Sequence, residues 1–265
     1  MFDFTLKKYE ELCGSIVQSG YGIVMVERYF SQLNLPEKYF VLRHDVDRKP
    51  ERAEAMASLE DELGIKSTYY FRKKNHVFKP DIIKRISGMG HEIGYHYEVL
   101  DKAKGDIKKA YSIFKEELEM FRDIVDVKTV AMHGNPLTRW TNSDFWKNYD
   151  LGEFNLIGDV SFSLREKNVL YFTDTGRSWH SSKYNIKDFI SNNQVGDKIQ
   201  STSDLINFIS NDNEKYLVCL SSHPNRWNND PLSWLLQYAE DYLANRAKLA
   251  VRFLNRGFRR DRAND

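Results

Sequence analysis

Short apolar runs that end in polar residues alternate with amphipathic helical patterns along this chain. The first run, Tyr39–Leu42, has the aromatic and β-branched composition of a buried strand, and it passes directly into Arg43-His-Asp-Val-Asp47. Similar short runs predict strands at 65–71, 91–96, 127–132, 170–172 and 216–220. Apolar residues at helical spacing predict helices at 50–63, 80–89 and 106–124. Strands that alternate with helices are typical of an α/β protein with parallel strands.

The two ends of the chain have a different pattern. Residues 5–33 are predicted to form one or two helices, so we expect an N-terminal helical extension over 1–36 and an α/β unit over 37–230. In the last segment, 231–265, apolar residues recur at helical spacing from Trp234 to Phe258, and arginines accumulate towards the end. A solvated helix is one interpretation of this segment. A basic amphipathic helix that contacts an anionic membrane surface is the alternative.

Composition excludes several classes of protein. The chain has 265 residues, 41% of them hydrophobic, and a formal net charge of +1. This length suits one large domain with a full core, and the near-neutral charge argues against a dedicated nucleic-acid binder. Cys13 and Cys219 lie far apart, which favours neither a disulfide framework nor a thiolate zinc site. No apolar run is long enough to cross a bilayer, and the N-terminus lacks the apolar region of a signal peptide, so we expect a cytoplasmic protein.

Five predicted strands end in histidine or aspartate. These residues are Asp45 with Asp47, His96, His133, Asp174 and His223. In parallel α/β folds the carboxyl ends of the strands share one face, and that face carries the active site. A barrel or partial barrel would gather these side chains in one pocket better than an open sheet does.

The residue types at these ends suit a divalent metal with oxygen and nitrogen ligands. Asp45 and Asp47 stand at i and i+2 of a strand and therefore share a face, where their repulsion needs a cation or a shared proton. A helix N-cap cluster is the alternative interpretation. His44 should point away from Asp45. His76, His91 and His180 are interpreted as surface or structural groups.

Four segments together resemble the NodB-homology polysaccharide deacetylases (carbohydrate esterase family 4). Gly90-His-Glu-Ile-Gly-Tyr-His96 resembles the family segment that ends in its first metal histidine, and Arg43-His-Asp-Val-Asp47 stands where the family has a Thr-Phe-Asp-Asp strand end. Residues 65–71 resemble its second strand, and Leu220-Ser-Ser-His-Pro224 its late Leu-x-x-His motif. The His-Gly-Asn-Pro, Asp-Thr-Gly-x-x-Trp and His-Pro-x-x-Trp strings resemble a divergent, WbmS-type branch associated with bacterial surface-polysaccharide gene clusters.

The resemblance implies a distorted (β/α) barrel with a divalent metal, most often zinc. It also implies hydrolysis of an N-acyl group from an amino sugar. By position, Asp45 would be the general base and His223 the general acid, while Asp47 and His96 would be metal ligands.

The chain departs from the family pattern at the metal site. Val46 separates the two carboxylates that the family has side by side, so base and ligand could be exchanged. The family's second metal histidine would fall at Leu100, so His133, or Glu98 as a substitute, must complete the metal site. The family's Arg-x-Pro is replaced by His133-Gly-Asn-Pro136, and Arg177 could supply the missing charge beside the base.

Residues for substrate contact are expected in the loops after the strands. Trp140, Trp179 and Trp227 suit stacking on a sugar ring, or packing beneath a long loop. Asn135, Asp174 and Arg177 could contact sugar hydroxyls or a phosphate.

These observations predict a metal-dependent N-deacylase of an amino sugar in a cytoplasmic, nucleotide-linked or lipid-linked precursor of a surface polysaccharide. An O-deacetylase is a close variant. A glycosyltransferase that uses Asp45 and Asp47 as Asp-x-Asp, and an inactive sugar-binding relative, are the alternatives.

Overall fold

Parallel strands alternate with helices throughout the computed structural model, which describes residues 2–163, 169–179, 199–211 and 217–261, with the side chains of the last helix described up to residue 250. The strands are β1 (Gly22–Val24), β2 (Tyr39–Val46), β3 (Thr68–Phe71), β4 (Glu92–Tyr97), β5 (Thr129–Met132), β6 (Gly158–Asp159), β7 (Val169–Thr173) and β8 (Leu217–Ser222). The helices are α1 (Leu6–Gln18), α2 (Val26–Ser31), α3 (Pro50–Glu62), α4 (Pro80–Gly88), α5 (Val99–Lys102), α6 (Ile107–Arg122), α7 (Val160–Ser163), α8 (Thr202–Asn211) and α9 (Pro231–Asp261). Short 3-10 helices cover Asn142–Lys147, Leu151–Phe154 and Pro224–Arg226.

Within the described residues the sheet has eight strands, and every pairing between them is parallel. Its order is β6-β5-β4-β3-β2-β8-β7, and β1 pairs with the first half of β2. Strand β2 is central: Arg43 is opposite Thr68 of β3 on one side and Ser221 of β8 on the other. The predicted α/β class with parallel strands is therefore confirmed.

The sheet curves into an incomplete barrel. Side chains from both halves of the sheet pack together inside it, among them Val41 of β2, Ala131 of β5, Val160 after β6 and Tyr171 of β7. A flat sheet would keep these strands too far apart for such contact. Among the described residues β6 and β7 are not paired with each other, so the barrel is open between them.

A glycine lets one strand side chain cross its neighbour inside the barrel. A Cβ atom on Gly94 of β4 would lie 2.2 Å from a ring carbon of Tyr70 and 3.0 Å from the Thr129 carbonyl oxygen. The Tyr70 ring thus occupies the place of a side chain on β4, and its hydroxyl reaches the Thr129 hydroxyl on β5 at 2.8 Å. This contact explains the glycine within the His91-Glu-Ile-Gly-Tyr-His96 motif.

The helices begin and end at residues that suit their positions. Asp106 caps α6 by accepting hydrogen bonds from the backbone N–H groups of Lys108 and Lys109, both at 3.0 Å. Proline is the first residue of α3, and Gly64, with φ of +70°, follows its end. The inward face of α6 is buried against the sheet at Ala110, Phe114, Leu118 and Phe121.

Two strands were not predicted from the sequence. Strand β1 has three residues and β6 has two, which is too short for a periodic pattern to appear. The segment before residue 37, predicted to form one or two helices, therefore contains a strand of the sheet as well as two helices. Strand β2 also extends through Arg43, His44 and Asp45, because strands pair with it on both sides there.

Helix α9 packs against the loops at the carboxyl ends of the strands. The Lys49 ammonium donates to the Gln237 amide oxygen at 3.0 Å, and the Asn245 amide donates to the Gly176 carbonyl oxygen at 2.9 Å. Near its start, the Trp234 indole N–H donates to the Asp3 carbonyl oxygen at 2.8 Å. No helix within the described part of the chain is both long and apolar enough to span a bilayer.

Candidate active site

The polar strand ends line one pocket of about 250 Å³. The carboxyl ends of β2, β3, β4, β5 and β8 each contribute lining residues, and further lining residues come from the loop after β5 and from α9. The pocket is lined by Asp45, Asp47, Arg48, Arg72, His96, Met132, His133, Gly134, Asn135, Pro136, Thr175, His223, Arg226, Asp241, Ala244, Asn245 and Lys248.

Asp47 stands among three histidines. Its Oδ1 atom lies 3.6 Å from Nε2 of His96 and 3.6 Å from Nε2 of His133, and its Oδ2 atom lies 3.9 Å from Nε2 of His223. Burial opposes ionisation of this carboxyl, but His133, the Arg72 guanidinium, His96 and His223 together hold its pKa well below the usual range. Asp47 is therefore an anion at the centre of a cationic and imidazole-rich site.

The two imidazoles nearest Asp47 Oδ1 are in a form that can bind a cation. His96 donates from Nδ1 to the Ala131 carbonyl oxygen at 3.0 Å, which leaves Nε2, the atom that faces Asp47, as the nitrogen that can bind a cation. Burial, with help from Arg72 and His96, lowers the pKa of His133 to about 3, although Asp47 acts in the opposite direction. His133 is therefore neutral at pH 7.

These residues fit a divalent metal. Asp47 Oδ1 is buried and has no hydrogen-bond donor among the described residues. Such an oxygen is costly unless a cation or a donor satisfies it. One carboxylate oxygen and two imidazole nitrogens are a ligand set used for zinc. Leu100, at the family's second histidine position, is buried in the core, and His133 instead faces Asp47.

A second group of ligand atoms shares His133 with the first. Glu98, Asp101 and His133 offer three ligand atoms within 4.8 Å of one another. However, Glu98 pairs with Arg72 and lies 3.6 Å from the Lys74 ammonium, and Asp101 accepts hydrogen bonds from Trp140 at 2.8 Å and Asn142 at 3.0 Å. Both oxygens of Asp101 and one oxygen of Glu98 already accept hydrogen bonds within the protein, whereas Asp47 accepts none among the described residues, so we favour Asp47, His96 and His133 as the metal ligands.

Asp45 lines the pocket beside Asp47, and Ser221 and Arg43 contact one of its carboxylate oxygens. Its Oδ2 atom accepts a hydrogen bond from the Ser221 hydroxyl at 3.2 Å and lies 3.3 Å from the Arg43 guanidinium. Its Oδ1 atom is buried with no donor among the described residues. This carboxylate has an acceptor oxygen available for the proton of a water molecule.

His223 is oriented by a buried carboxylate. Asp174 Oδ1 lies 2.6 Å from His223 Nδ1, and Asp174 Oδ2 accepts the His223 backbone N–H at 2.9 Å. Although burial alone would raise the pKa of Asp174, Arg226 and His223 hold it below the usual value, so Asp174 is an acceptor and His223 Nδ1 carries a hydrogen. The His223 Nε2 atom is left to face Asp47 and the pocket.

His44 points away from the pocket, as predicted from strand alternation. Its Nε2 atom lies 2.8 Å from Glu60 Oε1, and its Nδ1 atom lies 2.7 Å from the Ser222 hydroxyl. Glu60 also accepts hydrogen bonds from Tyr69 at 2.8 Å and Ser67 at 2.6 Å. This buried network joins α3 to the ends of β2 and β8, which carry Asp45 and His223. His76 is exposed, His91 is buried, and His180 lies outside the described residues.

Four residues predicted to contact substrate do not face the pocket. Trp179 and Trp227 are 0% and 1% exposed and pack in the core, so neither can stack on a sugar ring. The Asp174 carboxylate is fully buried against His223, Arg226 and Trp227, so its contacts position other groups. Arg177 packs over Phe4 and Trp234 instead of lying beside Asp45, where Arg43 supplies the positive charge.

One predicted contact and two unpredicted residues complete the site. Asn135 does line the pocket, whereas Trp140 is half-buried, donates a hydrogen bond to Asp101 and is not among the lining residues. Arg72 directly follows β3, so the strand-end pattern that identified the histidines could have identified it too. Lys248 gave no such signal, because α9 reaches the pocket only through tertiary contacts.

The chain is similar to some solved structures. No protein-family model matches the chain, and no curated protein does either. One similar structure is the Xyl-CE4 domain of a multidomain xylanase from the hindgut metagenome of Trinervitermes trinervoides, with TM-score 0.44, 15% identity, and coverage of 77% of this chain and 82% of that one. Another is the peptidoglycan deacetylase PdaC from Bacillus subtilis, with TM-score 0.38, 12% identity, and coverage of 82% and 96%. At these identities and TM-scores the similarities say nothing about the activity of this chain, and the resemblance to the WbmS-type branch stays a prediction.

Proposed function

We propose that this protein is a metal-dependent hydrolase that removes an N-acyl group, acetyl or formyl, from an amino sugar. The observation that supports it most is the position of Asp47, whose two carboxylate oxygens face the Nε2 atoms of His96, His133 and His223. The residues that we propose as metal ligands and as proton-transfer groups all line one pocket. The deacetylase resemblance of the sequence motifs points to the same reaction.

Asp47, His96 and His133 would hold the metal, with zinc favoured by the ligand types. When bound, the metal would polarise the acyl carbonyl group and make water more acidic. Asp45 would take a proton from the attacking water through its available oxygen. His223 would give a proton from Nε2 to the leaving nitrogen, while Asp174 holds the Nδ1 hydrogen and stabilises the imidazolium ion. A C–O bond forms and the C–N bond breaks, which yields a carboxylic acid and a free amine.

The substrate we propose is an amino sugar in a cytoplasmic, nucleotide-linked or lipid-linked precursor of a bacterial surface polysaccharide. The same groups could remove an O-acetyl group, because an alkoxide needs less help from a general acid than an amide nitrogen does. Three imidazoles around one carboxylate argue against a glycosyltransferase, in which an Asp-x-Asp binds metal and diphosphate without them. An inactive sugar-binding relative would keep the pocket but show no turnover.

The test is release of acid or free amine from a panel of N-acetyl and N-formyl amino sugars, free and nucleotide-linked. Asp45→Asn should lower kcat by roughly 10²- to 10⁴-fold while bound metal stays at the wild-type level, because Asp45 is not a ligand in this scheme. Asp126→Asn, a change of the same kind at an exposed position, should keep wild-type kcat. Full activity of Asp45→Asn would contradict its role as base. Wild-type protein that binds metal but hydrolyses nothing in the panel would favour the inactive relative.

We also propose a peripheral membrane contact through α9. Leucines at helical spacing on this helix are exposed, among them Leu232, Leu236 and Leu243, and the arginines of the sequence follow towards its end. Each basic residue near an anionic surface contributes about 1 kcal/mol. Replacing Arg256, Arg259 and Arg260 together by Gln should therefore weaken binding to phosphatidylserine vesicles by about two orders of magnitude, and higher salt should do the same.

The matched control for the membrane contact replaces three exposed lysines elsewhere, Lys79, Lys84 and Lys108, by Gln. Cosedimentation with vesicles measures both triple variants. Equal weakening by the two variants, or binding that salt does not change, would leave α9 as a solvated helix.

A further inference from the structure

Helix α9 forms part of the wall of the candidate active site, although it begins after the last strand. Asp241, Ala244, Asn245 and Lys248 line the pocket on successive turns of the helix. Hydrogen bonds from Asn245 to Gly176 and from Lys49 to Gln237 hold α9 over the strand ends. A substrate in the pocket would therefore contact α9 as well as the strand ends.

Lys248 brings a positive charge into this pocket, and no carboxylate among the described residues forms an ion pair with it. Its side chain is half-buried, and among the described residues its ammonium group has no hydrogen bond and no carboxylate within 4.0 Å. Burial and the charges of Arg226 and Arg48 lower its pKa, while Asp47 and Asp241 act in the opposite direction. An ammonium group so placed is stabilised by an anion brought in from outside.

Most other charged groups of the pocket have an oppositely charged neighbour within the protein. Asp47 is near Arg72, at 3.6 Å, and Asp241 Oδ2 lies 3.7 Å from the guanidinium of Arg226. Arg48, at the rim, lies 3.4 Å from Glu240, but both side chains are about half exposed and free to separate. Of the described cations that line the pocket, Lys248 and Arg48 are therefore the two available to a ligand.

We propose that Lys248, assisted by Arg48, binds a phosphate group carried by the amino-sugar substrate. This inference rests on the proposed N-deacylase function and narrows its substrate to phosphorylated amino sugars. A compact ammonium and a planar guanidinium from two different elements suit a phosphate, whose oxygens accept hydrogen bonds in several directions. The phosphate could belong to a sugar phosphate, a nucleotide diphosphate sugar or a lipid diphosphate sugar.

The experiment compares Lys248→Met, which keeps the length of the side chain, with Lys248→Arg, which keeps its charge. Arg246→Met is the control, because it removes one positive charge from α9 at a position outside the pocket. The substrates are N-acetylglucosamine, its 1-phosphate, its uridine diphosphate derivative and a short prenyl diphosphate derivative. Binding of inorganic pyrophosphate, measured by calorimetry, gives a readout that needs no turnover.

Lys248→Met should lower the ratio of kcat/KM for the phosphorylated over the neutral sugar by about tenfold or more, the effect of losing one charge-assisted hydrogen bond. It should weaken pyrophosphate binding by a similar factor. Lys248→Arg should keep most of the kcat/KM ratio and of the pyrophosphate affinity. Arg246→Met should change neither the ratio nor the affinity. Equal effects on all three phosphorylated sugars would show recognition of the phosphate that they share. An effect on one of them alone would show whether the phosphate belongs to a sugar phosphate, a nucleotide diphosphate sugar or a lipid diphosphate sugar.

The two proposals can fail separately. If wild-type protein hydrolyses the sugars but Lys248→Met leaves the ratio and pyrophosphate binding unchanged, the phosphate site is wrong and the deacylase stands. If pyrophosphate binding requires Lys248 but no sugar is hydrolysed, the phosphate site stands and the deacylase is wrong.

Discussion

Asp174 holds His223 at two points, through the imidazole Nδ1 at 2.6 Å and through the backbone N–H at 2.9 Å. The carboxylate is itself held by Arg226 at 3.0 Å and by the Trp227 indole at 2.9 Å. The His223 ring therefore cannot turn without breaking this arrangement. A carboxylate in this position fixes the tautomer of a catalytic histidine and stabilises its protonated form.

Replacing Asp174 with Asn should disable the general acid. The amide can present an N–H towards His223 Nδ1 and so favour the opposite tautomer, and it carries no charge to stabilise an imidazolium ion. We expect kcat for an N-acyl sugar to fall by roughly 10²- to 10⁴-fold. Steady-state kinetics on the best substrate of the panel measure the effect, and thermal unfolding shows whether the fold is retained.

Two further measurements separate catalysis from folding in this prediction. The double variant Asp174→Asn with His223→Ala should lose no more activity than His223→Ala alone, because the two residues act as one unit. Ester substrates should be less affected than amides, since an alkoxide leaves more easily than an unprotonated nitrogen. Additive losses, or equal losses for esters and amides, would show that Asp174 acts otherwise.

Metal content should depend on the three residues around Asp47 Oδ1. We expect about one divalent metal per chain in wild-type protein, and Asp47→Asn or His96→Ala should remove most of it without unfolding the protein. His76→Ala, at an exposed histidine, is the control and should keep the metal. The measurement is elemental analysis after dialysis against zinc.

The same analysis distinguishes the two candidate ligand sets. If Asp101→Asn empties the site while Asp47→Asn does not, the metal is bound by Glu98, Asp101 and His133. His133→Ala should reduce metal in either arrangement.

The positions of the main site residues could be predicted from the sequence because of the topology. Parallel strands bring their carboxyl ends to one edge, so polar residues that follow apolar runs must lie close together. Asp47, His96 and His133 follow from this rule alone. The rule places a residue at a strand end, but it does not decide between facing the pocket and packing behind it. For that reason Asp174 was predicted at the correct edge of the sheet, but as a contact to substrate instead of to His223.

Other parts of the site depend on contacts that local pattern does not encode. Trp179 and Trp227 follow strand ends as sugar-stacking residues would, yet both are covered by α1 and its neighbours in the core. Lys248 lies 25 residues beyond His223 on a helix whose composition suggested a membrane surface. Only the packing of α9 against the strand ends makes it a pocket residue.

Glu60 should be important for stability although it lies outside the pocket. Its carboxylate is fully buried and accepts hydrogen bonds from Tyr9, Ser67 and Tyr69, and from His44. Burial alone would raise its pKa, but His44 and His91 lower it to about 2. Glu60→Gln should reduce the free energy of unfolding by about 2–4 kcal/mol, because donors that converge on a carboxylate are left unsatisfied.

Urea denaturation at pH 7 measures this effect, with Glu62→Gln as the control on the exposed side of the same helix. Because the pKa of Glu60 is lowered on folding, its contribution is present above the unfolded value near 4.5 and is lost as pH falls towards 2. A Glu60→Gln variant within 0.5 kcal/mol of wild type would mean that the network is not tightly formed.

Glu92 should make stability depend on pH in the opposite sense. Its carboxyl is buried in β4, where it accepts hydrogen bonds from Thr68 at 2.6 Å, from the Glu27 backbone N–H at 2.8 Å and from Thr129. Burial raises its pKa from 4.5 to about 7, although these three donors oppose the shift. The folded protein therefore holds this proton between pH 4.5 and 7, where the unfolded chain has lost it. The stabilisation is fully present below pH 4.5 and is lost as pH rises through 7, by roughly 3 kcal/mol in total.

Glu92→Gln cannot ionise, so wild type should lose about that much stability relative to this variant between pH 5 and pH 8. Urea denaturation of both proteins across this range measures the difference, and Glu116→Gln, at an exposed position of α6, should show no such trend. A difference between wild type and Glu92→Gln that stays constant from pH 5 to pH 8 would show that Glu92 is ionised in the folded protein throughout.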